Sequence, residues 1–522
     1  MDSSLRPATA TCRLFAMSWA PDVVVIGSGP NGLSAAIKLG RAGFRVLVLE
    51  ENERRPGGAM GTEELTLPGF QHDTGPAFFP FAKSSPAFRE FGLEEFGIRW
   101  AWADFESCHV ALDGSSACLS RAPAESLANF GSPEDAAAWN RLAVFYREHE
   151  PRLLPALLGP VLQFRAWQQV GLGAALKLGW LLGRSGRSLA EKLFKSEAAR
   201  RVLPALALHA DVGPADRFGA ALGFMLAANA TTGGFPVPIG GAKVITHALV
   251  TLLERYGGRV QLGERVCRIR LEKGRAVGVV TANGLEIGPV KAVVAATGVK
   301  SLFLDLIESG ALPSGVLRKA RNFRQGWGTF KLDFALSAAV PWKIESARHS
   351  AVVHTGESLL DLERFTAEVR AGKLPTNPYL VVGQQSLIDR QRAPANQHTL
   401  YCYTHAPSVI PGGWSEQKER FADTIEERLE QFAPGFRTHV KARAVQSPED
   451  LAAQNSNLPG GDLGGGSAAF TQQLIFRPFF PHFSYRMPIP GLYLASSSAH
   501  PGGGVHGMCG YNAAKQLIAD LS

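Results

Sequence analysis

Three glycines near the start of the chain have the spacing of a dinucleotide-binding turn. Gly27, Gly29 and Gly32 form a G-x-G-x-x-G motif directly after an apolar run at residues 22–26. In this motif the first glycine permits a tight turn, the second lets backbone approach a pyrophosphate, and the third lets helix and strand pack closely. Asn31 lies inside the motif, where the N–H groups of a helix N-terminus face an anion. The spacing therefore predicts a pyrophosphate-binding turn.

Two carboxylates follow the next apolar run, residues 45–49. Glu50 and Glu51 lie at its end, where a carboxylate in such a unit accepts hydrogen bonds from ribose hydroxyls. Between the two runs, residues 33–39 have the composition of a helix that carries small side chains. Strand, glycine turn, helix, strand and acid thus occur in the order of a Rossmann-like unit. An unrelated glycine-rich turn is the weaker alternative.

The loop that follows the acid indicates which dinucleotide is bound. Residues 54–62 read Arg-Arg-Pro-Gly-Gly-Ala-Met-Gly-Thr. This segment resembles the Arg-x-Gly-Gly loop of the flavoprotein family that includes amine oxidases and phytoene desaturases. The resemblance implies FAD rather than NAD, with Arg55, Gly57, Gly58 and Ala59 at the cofactor. Many members of the family carry Arg where this chain has Ala59.

Two later segments resemble further flavin contacts of the same family. An apolar run begins at residue 291 and ends in Ala296, Thr297 and Gly298, as the second flavin-contact strand does. Before it, residues 266–287 predict a β-meander, because an Asn-Gly pair between apolar runs is a strong hairpin signal. The resemblance places the backbone of Val266 near the adenine.

The C-terminal segment has a third strand, loop and helix arrangement. Residues 490–495 predict a buried strand, residues 496–507 a glycine-rich loop and residues 513–521 a helix. A helix N-terminus beside a flavin stabilises negative charge on the reduced ring. The loop supplies the cofactor candidates Ser498, Gly504 and Val505. It also supplies His500 and His506, our first catalytic candidates, although both also fit as structural loop histidines.

Lys331 is a third catalytic candidate. Residues 328–336 alternate apolar and other side chains, which predicts a half-buried strand with Phe330 and Leu332 on its buried face. Lys331 lies on the opposite face. In relatives among the amine oxidases, a strand lysine holds a water at the flavin. A lysine exposed to solvent is the alternative for this position.

The segments together resemble the phytoene desaturase and carotenoid isomerase superfamily, and within it the pyridine nucleotide-disulfide oxidoreductase domain-containing protein 2 branch. The resemblance implies an α/β fold: a Rossmann-like FAD-binding domain of the two-dinucleotide-fold type, with a discontinuous mixed α+β substrate domain. The expected FAD-binding segments are residues 21–100, 236–300 and 460–522. The expected substrate-domain segments are residues 101–235, which are helical, and 301–459. Residues 1–20 are expected to form a disordered tail.

The resemblance implies an FAD-dependent oxidoreductase. We expect it to remove hydride from a large apolar, carotenoid- or lipid-like substrate by desaturation, or to isomerise one. The alternatives are a flavin amine or amino-acid oxidase and a non-catalytic FAD-binding regulatory protein. Oxygen, a quinone or NAD(P) would be the electron acceptor. Apolar stripes within residues 134–230 fit a substrate channel, a membrane-surface patch or simply a helical core.

Composition excludes several other classes of protein. The 522 residues include 54 basic and 46 acidic ones, a net charge of +8, but no dense basic run that would indicate nucleic acid. An anionic membrane surface suits this charge equally well. The six cysteines form no C-x-x-C pair, and no metal-ligand spacing is present, so we expect neither disulfide exchange nor a metal. The expected location is the cytoplasm, with peripheral membrane contact or a mitochondrial matrix as alternatives.

Overall fold

A computed structural model describes residues 19–522 of the chain, so the expected tail at residues 1–20 lies almost entirely outside the described residues. The strands are β1 Val23–Ile26, β2 Val46–Leu49, β3 Thr62–Glu63, β4 His72–Asp73, β5 Trp100–Ala101, β6 Phe105–Val110, β7 Ser116–Leu119, β8 Val237–Pro238, β9 Arg259–Gln261, β10 Val266–Glu272, β11 Arg275–Thr281, β12 Glu286–Ile287, β13 Ala292–Ala295, β14 Gly328–Leu336, β15 Ser350–Thr355, β16 Val381–Gly383, β17 His398–Ala406, β18 Val440–Gln446 and β19 Leu492–Leu494. The helices are α1 Pro30–Arg41, α2 Pro86–Phe91, α3 Pro123–Ala128, α4 Pro133–Leu158, α5 Phe164–Val170, α6 Leu172–Leu182, α7 Gly186–Leu193, α8 Glu197–Leu208, α9 Gly219–Ala230, α10 Ala242–Arg255, α11 Ser314–Asn322, α12 Glu345–Arg348, α13 Leu359–Arg370, α14 Gln385–Ile388, α15 Trp414–Phe432, α16 Phe436–His439, α17 Pro448–Gln454 and α18 Met508–Leu521.

A five-stranded parallel sheet joins strands that are far apart in the sequence. Its order is β19-β13-β1-β2-β9, with Val23 of β1 paired to Val46 on one side and to Ala292 on the other. Four of the five strands, β19, β13, β1 and β2, are apolar and buried. Helices α1, α10 and α18 pack into the same core, as expected of a parallel sheet covered on its faces. This is the Rossmann-like sheet that the sequence predicts.

The predicted β-meander is present beside this sheet. Strands β10, β11 and β12 form an antiparallel sheet in that order. Gly284 has φ +81, a left-handed conformation that glycine adopts without strain and that a tight hairpin turn requires.

A second, seven-stranded sheet has the order β18-β14-β17-β16-β15-β6-β7. It is mixed, because β15 pairs with β6 in parallel while its other pairs are antiparallel. Strand β14 is buried along its whole length, so the expected half-buried strand is wrong. One face packs on α15, where Phe330 contacts Phe421 with ring centroids 4.9 Å apart. On the other face, Lys331 and Asp333 of β14 form a buried ion pair.

The helices of the middle region share one apolar core. Helices α4 to α9 pack around Trp139, Leu203 and Phe224 and contact β15 of the seven-stranded sheet. Helix α4 begins with a capping box between Ser132 and Asp135, which satisfies backbone donors at its first turn. The segment at residues 101–235, expected to be helical, is largely helical from Pro123 onward, but its first part forms strands β6 and β7.

Two helices adjoining the parallel sheet are longer than their sequence patterns predict. Helix α1 begins at Pro30 rather than residue 33, since proline suits the first helical position. Helix α18 begins at Met508 rather than residue 513, directly after Gly507. Both differences extend the helices toward the glycine-rich loops.

Strand pairing brings two cysteines together that belong to no redox motif in the sequence. Cys108 of β6 and Cys118 of β7 are directly opposed, with their sulfur atoms 3.0 Å apart. Both are buried, and both lie outside the large cavity described below. The two thiols are therefore not in a position to exchange electrons with a ligand in that cavity.

Candidate active site

A cavity of about 940 Å³ lies between the parallel sheet, the seven-stranded sheet and the middle helices. One part of its lining comes from the glycine turn, the acid after β2 and the C-terminal loop. Another part is apolar and comes largely from the helices and the segment before α2. Its members are Phe78, Phe79, Phe81, Leu157, Leu158, Trp167, Leu178, Leu206, Phe218, Leu222, Met225 and Leu226.

The glycine turn is shaped to receive a ligand. A Cβ at Gly32 would collide with the carbonyl oxygen of Gly27, so close packing of α1 on the turn requires glycine there. A Cβ at Gly29 would meet open space. Apart from the two adjoining residues of the chain, no atom of residues 19–522 lies within 4 Å of that position. The space beside Gly29 belongs to the cavity, and Asn31 also lines it.

Glu50 holds the turn together. Its Oε2 accepts hydrogen bonds from the backbone N–H and the hydroxyl of Ser28, at 2.9 and 2.5 Å. Its Oε1 accepts one from the backbone N–H of Asn52 at 3.0 Å. Both Glu50 and Glu51 line the cavity. The carboxylate therefore fixes the turn and faces the ligand space at the same time.

The loop after Glu50 divides into residues that line the cavity and residues that shape the loop. Gly58 and Ala59 line it, whereas Arg55 and Gly57 lie outside the lining formed by residues 19–522. The Arg55 guanidinium donates to Glu63, to the Gly58 carbonyl and to Thr74 at 2.7, 3.0 and 3.2 Å. Arg55 thus braces the loop from behind, and the structure does not bring it to the ligand space.

The second strand end and the meander also reach the cavity. Ala296, Thr297, Gly298 and Val266 all line it. Within residues 19–522, the buried Thr297 hydroxyl and the Asn31 side-chain oxygen have no hydrogen-bond partner. Buried polar atoms are usually satisfied. Unsatisfied donors and acceptors beside an open glycine turn fit a polar ligand such as a dinucleotide.

The C-terminal loop brings its predicted residues to the same cavity. Ser498, Gly504, Val505, His500 and His506 line it. Burial lowers the pKa of each histidine to about 4, so both are neutral at pH 7. They differ in their contacts. Nδ1 of His506 accepts the Met508 N–H at 3.0 Å, whereas Nδ1 of His500 lacks a partner within residues 19–522.

Arg477 is a cavity residue that the sequence analysis misses. Its buried guanidinium lines the cavity and donates to the carbonyls of Ser497, Ser467 and Gly465 at 2.9, 3.1 and 3.2 Å. It thereby joins two glycine-rich loops. An isolated Arg-Pro pair in an irregular segment gives no sequence signal for this role.

The structure does not bring Lys331 to the cavity. Its ammonium pairs with Asp333 and lies 4.9 Å from the centre of the Tyr401 ring. Asp333 in turn approaches His72 at 3.6 Å. Lys331 is buried as part of an ion cluster rather than exposed to solvent or placed as a catalytic group.

A second polar group in the cavity also escapes the sequence analysis. His209, Asp211, Tyr403 and His405 line the cavity among apolar side chains. The first two follow the end of α8, and the other two lie on β17. They are distant in sequence and match no motif, so only the fold reveals them.

Residues 31–518 match the family described as flavin-containing amine oxidoreductase. The chain belongs to this family. Because its members contain flavin, FAD is the cofactor, and the protein is an FAD-dependent oxidoreductase. Among residues 19–522, no group of three or more candidate metal ligands is present. Within the same part of the chain, no helix is long and apolar enough to cross a membrane.

Three relatives align with nearly the whole length of this flavin oxidoreductase. The chain is 27% identical to mouse (Mus musculus) pyridine nucleotide-disulfide oxidoreductase domain-containing protein 2, covering 96% of this chain and 94% of that protein. It is 24% identical to the neurosporene-forming phytoene desaturase of Cereibacter sphaeroides, covering 93% and 92%. It is 25% identical to the all-trans-zeta-carotene desaturase of Myxococcus xanthus, covering 92% and 90%.

A solved structure has the same fold. An oxidoreductase from Methanosarcina mazei aligns with a TM-score of 0.64 at 18% identity, covering 95% of this chain and 99% of that one. Together these similarities identify a phytoene-desaturase-like FAD oxidoreductase near the pyridine nucleotide-disulfide oxidoreductase domain-containing protein 2 branch.

Proposed function

We propose that this oxidoreductase removes hydride from a large apolar substrate of carotenoid or other lipid type, or isomerises one. The observation that carries the proposal is the apolar part of the cavity lining, which includes Phe78, Trp167 and Leu226. Apolar ligands gain roughly 25 cal/mol for each Å² of apolar surface removed from water. The names of the phytoene desaturase and carotene desaturase relatives support the same substrate class.

We assign FAD to the polar part of the cavity. When bound, FAD supplies a ring that accepts hydride. The chain holds the pyrophosphate at the turn around Gly29 and Asn31, the ribose at Glu50, and the adenine near Val266. The remaining cofactor contacts are assigned to residues that line the cavity: Gly27, Gly32, Glu51, Gly58, Ala59, Ala296, Thr297, Gly298, Ser498, Gly504 and Val505.

The two loop histidines have different proposed roles. His506 is a positioning residue, because its Nδ1 fixes the first turn of α18. His500 is the catalytic candidate, since its free Nδ1 is able to accept a proton from a substrate. Its lowered pKa keeps it in the neutral form that this step needs.

The experiment is anaerobic reduction of the purified holoprotein. Loss of the oxidised flavin absorbance on adding an apolar hydrocarbon or lipid supports dehydrogenation. Bleaching by amines alone contradicts the lipid proposal. Reoxidation of the reduced protein by oxygen, a quinone or NAD(P) then separates the three acceptors by rate.

An amine or amino-acid oxidase is the second candidate. The carboxyl of Asp211 lines the same cavity as Tyr401 and Tyr403, which offers an acid and aromatic rings to a protonated amine. Against this, burial and the nearby Asp462 raise the pKa of Asp211 well above its usual value. A raised pKa means that the carboxyl gives up its proton less readily, which weakens its attraction for an ammonium group, so the lipid substrate is the better supported candidate.

We also propose that α5 and α6 rest on an anionic membrane surface. Leu162, Phe164 and Leu172 are each 77% exposed, which is unusual for large apolar side chains in one segment. Residues 151–190 include five basic residues and no acidic one: Arg152, Arg165, Lys177, Arg184 and Arg187. Trp167 and Leu178 of the same two helices line the cavity, so this surface would deliver an apolar substrate.

Vesicle sedimentation tests the surface. The holoprotein should bind vesicles of phosphatidylserine and phosphatidylcholine, and Leu172→Gln with Leu176→Gln should weaken binding at least tenfold, since each buried leucine contributes about 1.5–3 kcal/mol. Val409→Gln is the matched control, because Val409 is 82% exposed elsewhere. If the Leu172/Leu176 double variant and the Val409 variant bind vesicles equally well, α5 and α6 do not form the membrane-binding surface.

A further inference from the structure

The polar cluster, defined as His209, Asp211, Tyr403 and His405, interrupts the apolar part of the cavity lining. A cavity built only for a hydrocarbon gains nothing from such side chains, because burying polar groups without partners costs free energy. The contacts of each group indicate what ligand would satisfy them.

His405 has unused hydrogen-bonding capacity. Its side chain and that of Asp211 are only 6% and 8% exposed. Nδ1 of His405 approaches Oδ1 of Asp211 at 3.2 Å, and the backbone of Leu208 and Gly328 lies close to the ring. Neither ring nitrogen completes a well-aligned hydrogen bond within residues 19–522. Leaving a buried polar group unsatisfied costs roughly 1–3 kcal/mol. A hydrogen bond between the ring and a ligand in the cavity would remove this penalty.

Tyr403 is held in place by a chain of hydrogen bonds. Its hydroxyl lies 2.8 Å from Nδ1 of His209, whose Nε2 lies 2.8 Å from Nε2 of His354. Nδ1 of His354 and Nε2 of His109 each lie 3.0 Å from the Ser107 hydroxyl. Neutral imidazoles carry one donor and one acceptor, so the chain has two directions. In one, Tyr403 offers a lone pair to the cavity, and in the other it offers its hydrogen.

The two histidines of the cluster are uncharged at pH 7, and the Asp211 carboxyl ionises less readily than an ordinary one. Burial lowers the pKa of His405 to about 4 and that of His209 to about 3. Burial also raises the pKa of Asp211, and the Asp462 carboxylate raises it further. Neutral donors and acceptors favour a neutral partner, because a charged group would lose its hydration without a counter-charge.

The loop between α8 and α9, which carries His209 and Asp211, contains two residues with positive φ. Asp211 has φ +60 and Phe218 has φ +76, and both side chains line the cavity. For a bulky residue such as Phe218 this conformation is a true outlier. Such strain is found where a ligand site requires it.

We propose that the substrate carries a neutral oxygen function, a hydroxyl or a carbonyl, on its apolar body, and that Tyr403 and His405 bind it. The inference rests on the proposed function of an apolar substrate and narrows it. An unsubstituted hydrocarbon would leave His405 without a ligand partner. A hydroxyl is able to accept a hydrogen bond from one of the two groups and donate to the other, and a carbonyl is able to accept from either.

The test uses the FAD-loaded protein and four probes with the same carbon chain: decane, decan-1-ol, decylamine and decanoate. Perturbation of the flavin absorbance reports binding without turnover. Tyr403→Phe and His405→Phe should each lower the affinity for decan-1-ol about fivefold to tenfold relative to that for decane, the value of one hydrogen bond. Leu226→Ala is the matched control and should lower the affinities for decane and for decan-1-ol by the same factor.

The outcomes separate this inference from the proposed function. If decane and decan-1-ol both bind and neither variant alters their ratio, the oxygen-binding role is overturned while the apolar substrate stands. Preferred binding of decylamine or decanoate overturns the inference in favour of a charged substrate. If FAD is retained but no probe perturbs its spectrum, the apolar-substrate proposal itself fails.

Discussion

The Glu50 carboxylate accepts both the backbone N–H and the hydroxyl of Ser28, at 2.9 and 2.5 Å. Ser28 stands between the first two glycines of the turn, and its hydroxyl oxygen also accepts the N–H of Gly57 at 3.1 Å. One serine therefore connects the turn, the acid and the loop after the acid. The glycine turn, the acid at the end of β2 and the loop after it therefore form one hydrogen-bonded unit.

Glu50→Gln tests this unit. A glutamine keeps the size but directs an amide N–H₂ toward one of the donors, so the turn loses charge-assisted hydrogen bonds worth about 1.5–3 kcal/mol each. We expect FAD affinity to fall at least tenfold, as measured by the flavin retained after dialysis. The exposed Glu53 supplies the control variant Glu53→Gln, which should keep its FAD. Full flavin content in Glu50→Gln would show that the carboxylate is dispensable.

Gly29→Val separates ligand space from folding. The added side chain points into the cavity rather than into protein atoms, so the protein should fold normally by circular dichroism but purify without flavin. Gly173→Ala, on an exposed position of α6, should remain yellow. A yellow Gly29→Val protein would contradict the placement of the pyrophosphate.

The buried Arg392 joins β4 to the segment before β17. Its guanidinium pairs with Asp73 at 2.9 Å and with Asp389 at 2.8 Å. Arg392→Met leaves two buried carboxylates without their cation and should lower the free energy of unfolding by about 3–5 kcal/mol. The measurement is urea unfolding. Arg268→Met breaks only an exposed pair with Glu308 and should leave the free energy of unfolding nearly unchanged. Similar losses in both variants would be evidence against the buried network.

His506 should make stability depend on pH. Its folded pKa is about 4 against about 6.5 when unfolded, so between these values the unfolded chain binds more protons. Stability is complete above pH 6.5 and falls as pH falls, by at most about 1.4 kcal/mol per pH unit. His506→Asn removes this titration and keeps an acceptor for Met508. The wild type should therefore lose stability relative to the variant only below pH 6.5, in unfolding curves from pH 5 to pH 8.

The sequence predicts the parts of the site that depend on local backbone. Gly27, Gly32 and Gly284 are readable because each turn requires its residue type at a fixed spacing. Arg55 and Lys331 show the limit of this approach. Each is a cation in a plausible position, yet Glu63 and Asp333 attract them away from the cavity. The sequence does not predict the polar cluster, because only the fold brings His209, which follows α8, to Tyr403 of β17.

Anaerobic titration of the FAD-loaded protein with an apolar lipid alcohol, monitored by the visible absorbance of the flavin, tests the proposed dehydrogenation directly. We predict that the oxidised flavin band disappears in proportion to added substrate and that a dehydrogenated lipid is recovered. A band that no apolar compound bleaches, while an amine reduces it at once, would contradict the account.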